Sequence, residues 1–201
     1  MVPALEHRFT EEPLPLAVVL DSDFVINVLH ENEEFHAECF QFAGRLLDAD
    51  TVIVYSNLLR IEFWNGWRSA VDHRGLPPEI AAEPPLLPDP VAERQRLYEV
   101  GDRYLRDFLR LFKRREVKVG ARLLDTALAL IGHYNLKSLD ACVAACALHS
   151  GVPHIASLDQ GFLKVDGIEL WNNGVPGRRE RRRRREETHD RRGAEERSAG
   201  R

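Results

Sequence analysis

The chain has 201 residues, 44% of them hydrophobic, and a formal net charge of −4, which suits one domain with a substantial core and some appendages. The charge is uneven: residues 175–201 hold eleven arginines against six acids, a net +5, leaving −9 on the rest. That balance excludes a body that grips nucleic acid simply by being basic throughout.

In chain order, "LAVVL" (residues 16–20) is a short apolar run that stops at Asp21, as expected of a strand buried on both faces. "SDFVINVLH" reads as a short helix with Ser22 or Asp23 as cap. "EEFHAECFQFAGRLLDAD" places Phe35, Cys39, Phe42 and Leu46 on one helical face. "TVIVY" is a second buried strand, and "SNLLRIEFWNGWRSAVDH" a helix starting at Ser56 or Asn57. Residues 75–90 contain six prolines in sixteen and form a connection, read as a lid, a partner-binding loop or disorder. "VAERQRLYEVGDRYLRDFLRLFKRRE" predicts one long helix, "VKV" a short strand and "ARLLDTALALIGHYN" a helix. "SLDACVAACALHSG" predicts a helix capped by Ser138 and stopped by Gly151. "PHIAS" and "IELW" are the last strands.

Alternating strands and helices predict an α/β domain, a parallel sheet between helical layers. Residues 1–174 are expected to form one unit and 175–201 an Arg-rich, disordered tail. Three cysteines, Cys39, Cys142 and Cys146, cannot pair evenly. The start lacks the basic residues and long apolar region of a signal peptide, and no run is long enough to cross a membrane. A cytoplasmic protein is expected.

In parallel sheets, ligands bind beyond the carboxyl ends of the strands, where strand order reverses. Asp21 and Asp159 each follow a predicted strand and are expected on one sheet edge. "VVLDSDFVIN", "SNLLRIEFWNG", "SLDACVAACAL" and "SLDQGF" occur in an order that resembles PIN domains, most closely VapC-like toxins of type II toxin–antitoxin pairs. The resemblance spans roughly residues 16–171. It implies a PIN-like three-layer α/β/α sandwich with a central, mainly parallel sheet, and a metal-dependent ribonuclease. It carries the site acids onto Asp21, Glu62, Asp140 and Asp159, with Ser157 as the small hydroxyl residue before the last. Asp23 departs from the pattern, which often has Ser, Thr or Asn there. An RNA substrate, an antitoxin partner and a homodimer follow as expectations of the same resemblance.

The chemistry stands beside it. Gathered carboxylates repel one another, and a hard divalent cation such as Mg²⁺ or Mn²⁺ relieves the conflict. Asp21 and Asp140 are expected as direct ligands, with Glu62 and Asp159 acting through water. Each acid also has a plainer reading: Asp21 as a helix cap, Asp140 as a complement to a helix dipole, Asp159 as a turn residue. Glu62 is harder to explain away, because it shares a face with Leu58, Leu59 and Gly66.

Two other functions compete. "VVLDSDFV" also resembles the Asp-x-Asp opening of haloacid-dehalogenase-type phosphatases, with Asp21 as nucleophile and Asp23 as acid/base. A non-catalytic PIN-like scaffold for RNA or protein is the third. Cys142, Cys146 and His149 share a helical face but are read as packing. Trp64 and Trp67, Lys137 and Lys164, and Arg103, Arg106, Arg110, Arg114 and Arg115 are further candidates for RNA contact.

Overall fold

The computed structural model describes residues 2–77 and 90–175. The expectations for most of the Pro-rich segment and for the Arg-rich tail therefore fall outside the described residues.

Six strands form one sheet: β1 (Leu5–Arg8), β2 (Ala17–Leu20), β3 (Val52–Ser56), β4 (Arg114–Val117), β5 (His154–Ala156) and β6 (Glu169–Asn172). Their order is β1-β6-β5-β2-β3-β4, and every neighbouring pair is parallel. The helices described are α1 (Ser22–Leu29), α2 (His36–Asp48), α3 (Leu59–Arg74), α4 (Pro90–Arg110), α5 (Ala121–Tyr134) and α6 (Ser138–Ser150).

The central strands are apolar throughout because both faces are covered. Val18, Leu20, Ile53, Ala156 and Trp171 pack into one core with residues of α1 to α4. Their chain neighbours Val19, Val54, Ile155 and Leu170 face the opposite core, built with α5 and α6. Strand side chains alternate between faces, so one short run such as "AVVL" feeds both cores. The result is a three-layer α/β/α sandwich, as the sequence suggests.

Several boundaries differ from expectation. The long helix ends at Arg110 rather than running to Glu116, and the next strand is Arg114–Val117 rather than "VKV". β1 was not anticipated. Both misread strands lie at the sheet's edges, where charged side chains are tolerated and the apolar signal fails. Helix starts shift too. Asp21 caps α1, Lys137 precedes α6 in place of Ser138, and Asn57 accepts a hydrogen bond from Val119 N instead of capping α3. Gly151 ends α6 in the left-handed conformation, as read from sequence.

Two features bring the site together. Chain order reverses between β2 and β5, which are parallel neighbours. Helices α1 and α3 cross at Gly66, where a Cβ would stand 2.0 Å from Ile26 Cδ1. Glu62 lies one turn before Gly66 on the same helix face, so this close crossing directs it toward the start of α1.

Candidate active site

Asp21 sits just past β2, buried and 5% exposed, with its backbone N–H bonded to Ala156 O of β5. One carboxylate oxygen accepts from Ser22 N at 2.7 Å, the other from Ser157 Oγ at 2.6 Å. Asp21 is thus both the helix cap of the plain reading and a member of the acid group. Burial, with the charge of Asp140, pushes its pKa up to about 6 against the pull of the Ser157 hydrogen bond.

Glu62 projects from the first turn of α3. Burial raises it to about 8, reinforced by the charges of Asp21 and Asp140. Asp140 lies in the first turn of α6, which packs against β2, β3 and β5. Its influence on both Asp21 and Glu62 shows that acids from three separate elements share one field.

Asp159 follows β5 and caps the 3₁₀ turn Gln160–Lys164, accepting from Gly161 N at 2.8 Å. It joins the group through Lys137. The Lys137 ammonium lies 2.8 Å from Asp140 Oδ2 and also bonds to Asp159 Oδ2. Burial works against that ammonium, but its bonds to the two aspartates outweigh it, and its pKa rises above the usual lysine value.

Asp23, which departs from the family pattern, is a fifth acid at the site. Both its oxygens lie 3.2 Å from Leu158 N, and Oδ1 lies 3.1 Å from Ser157 Oγ. Burial, then the charge of Asp21, raise it well above the ordinary carboxylate range. Its spacing of two from Asp21 was the available signal. Ser157 is wholly buried and links the group: its hydroxyl serves Asp21 and accepts from Asp159 N at 3.0 Å.

Among the described residues, no three His, Cys, Asp or Glu side chains already converge on a single metal position. The donor chemistry nevertheless fits a hard divalent cation. Asp21, Glu62 and Asp140 offer only oxygen, and burial, reinforced by their mutual repulsion, makes Asp21 and Glu62 costly to ionise. A cation, the Lys137 ammonium, already stands between Asp140 and Asp159.

A groove of about 960 Å³ opens beside the acids, bordered by Asp23, Lys137, Asp159, Lys164, Phe35 and Arg74. Of the aromatic candidates, Trp67 is 1% exposed and stacks on Phe63 in the core, so it is packing. Trp64 lies against Tyr98 with Arg60 over its ring. Cys142 and Cys146 are buried in the core, while exposed His149 meets Thr126 at 2.8 Å, so the three form no soft-metal site. Arg106 and Arg110 pair with Asp102 and Asp107, and Arg114 and Arg115 belong to β4 rather than α4.

No curated protein sequence matches the chain. The crystal structure of Mycobacterium tuberculosis VapC20, a Sarcin-Ricin loop cleaving toxin, is similar at 16% identity, covering 72% of this chain and 92% of that one, with a TM-score of 0.49. The PIN domain model matches residues 18–168, a span that holds Asp21, Glu62, Asp140 and Asp159 and most of both cores. The chain belongs to the PIN domain family.

Proposed function

We propose that this chain is a divalent-metal-dependent RNA endonuclease, acting as the VapC-like toxin of a toxin–antitoxin pair. The observation that carries the reading is the gathering of Asp21, Glu62 and Asp140, from the starts of three helices, where strand order reverses, with burial first and mutual repulsion second making Asp21 and Glu62 costly to ionise. A cluster so costly to ionise suits a task that brings its own positive charge.

Asp21 and Asp140 are the direct ligands in this reading, with Mg²⁺ or Mn²⁺ as the ion. When bound, the ion supplies Lewis-acid polarisation of a phosphoryl oxygen and a water of lowered pKa. Ser157 and the Ser22 N–H hold the Asp21 carboxylate in one orientation. Glu62, which the charge of a bound ion would return to its carboxylate form, orients the attacking water and accepts its proton. The water oxygen would bond to phosphorus as the phosphorus–oxygen bond to one ribose breaks, the departing oxygen taking a proton from solvent water and Glu62 returning the one it accepted to solvent. Asp159 acts from the outer side of the site, through water.

The antitoxin would cover this groove. The protein is read as cytoplasmic, and among the described residues no helix is long and apolar enough to cross a membrane. A homodimer and a single unit over residues 1–174 belong to the same reading. The test is cleavage of a mixed RNA pool by pure protein with Mg²⁺, with Mn²⁺ and with chelator. Metal-dependent cleavage is expected, and its loss in folded Asp21→Asn. RNA left intact while a generic phosphomonoester is turned over would overturn the assignment.

A further inference from the structure

We propose that Lys137 is a positioning residue that serves as the site's internal counter-cation, holding Asp140 and Asp159 together until a divalent ion displaces it. The inference rests on the metal-dependent reading above. Three observations carry it.

The first is geometric. The Lys137 ammonium bonds to both Asp140 and Asp159, which come from different elements, α6 and the 3₁₀ turn after β5. A single side chain thus links two acids from different elements. Lys137 directly precedes α6 with an extended backbone, so its stem departs from the helix start toward the site.

The second is the distribution of charge. Asp140 and Asp159 have a cation between them, while Asp21 and Glu62 are met by further negative charge. The acid group is therefore half neutralised by the protein itself. An ion entering between Asp21 and Asp140 must draw Asp140 away from Lys137. It also meets the repulsion of an ammonium a few ångströms away. The lysine and the ion compete for the same carboxylate.

The third is freedom to leave. The Lys137 side chain is 51% exposed and borders the groove, so displacement costs it no burial and gives it a route to solvent or to an RNA phosphate. A lysine locked in the core could hold the acids but could not yield them.

The test is Mn²⁺ affinity measured by calorimetry without RNA, on wild type, Lys137→Met, Lys137→Arg and Lys164→Met. Removing a positive charge at this distance should tighten Mn²⁺ binding by about tenfold or more in Lys137→Met. Lys137→Arg keeps the charge and should stay within about threefold of wild type. Lys164→Met, in the same groove without an ion pair to either acid, should shift affinity less than Lys137→Met. Thermal melting checks that each variant is folded. Unchanged or weaker Mn²⁺ binding in folded Lys137→Met overturns the proposal, as does an equal gain in Lys164→Met. Because the readout needs no RNA, tighter binding by a protein that cleaves nothing would sustain the role of Lys137 and sink the nuclease reading. Metal-dependent cleavage with no change in affinity would do the reverse.

Discussion

The two halves of the acid group solve one problem in opposite ways. Asp140 and Asp159 meet at a lysine, whereas Asp21 and Glu62 have only hydrogen bonds or nothing to offset their burial. A balanced pair rests until a stronger cation competes for it. An unbalanced pair stores electrostatic conflict, which binding of a cation can release.

The sharpest way to break this contrast is a pair of isosteric substitutions. Asp21→Asn should cut RNA cleavage by about 1,000-fold, the scale for losing electrostatic stabilisation of the reacting phosphate when a direct ligand of the ion is removed. Asp159→Asn, an outer partner, should cost about 10- to 100-fold. Initial rates with Mg²⁺ would compare the two, and equal losses would place Asp159 among the direct ligands.

Stability against pH separates the halves next. A carboxyl whose folded pKa is raised stabilises the fold in its protonated form. That contribution is complete below its unfolded value and is lost as pH rises through the folded one. With Asp21 at about 6, Glu62 at about 8 and Asp23 raised as well, the metal-free protein should lose several degrees of Tm between about pH 4 and 8. Glu62→Gln should flatten the upper part of that decline, and Asp159→Asn should leave most of it. A decline untouched by Glu62→Gln would remove the basis for calling that half unbalanced.

Ser157→Ala probes what partly relieves Asp21. Losing the buried hydroxyl should destabilise the protein by about 1.5–3 kcal/mol. Because that hydrogen bond lowers the Asp21 pKa, the lower part of the decline in Tm should move to higher pH. Denaturant melts at pH 5 and pH 7 would show both effects.

The smallest effect lies on the acid side. His30 is fully buried, bonds to Gly75 O through Nε2 and packs edge-on to Trp67. Burial lowers its pKa against the pull of Glu33, so stability should fall as pH drops below about 6.5 toward its folded value. His30→Gln should flatten this limb alone and leave the alkaline decline intact.

The central strands were legible in the sequence because they depend on a local pattern, whereas the four acids were carried onto their positions by the family resemblance. A strand covered on two faces must be apolar throughout, and the acids directly or closely follow strand ends or open helices. The edge strands escaped because "LEHR" and "RREV" carry the charge that a half-exposed strand allows. The roles of Asp23 and Lys137 among the acids escaped differently. Their partners lie far along the chain, with Asp23 meeting Leu158 and Lys137 meeting Asp159. No short window of sequence contains such pairings. The caps failed likewise, because Asn57 was engaged by Val119 across a loop.

Those same edge strands have a further consequence. A parallel sheet ends in two rows of unpaired backbone groups, open templates for a neighbouring molecule's strand. Here one border carries Glu6, His7 and Arg8, and the other Arg114, Arg115 and Glu116, flanked by the Lys113–Asp50 ion pair. A flat incoming strand would have to strip water from these charges along its whole length. The residues that hid the borders from pattern reading thus guard the folded protein against runaway sheet-to-sheet aggregation.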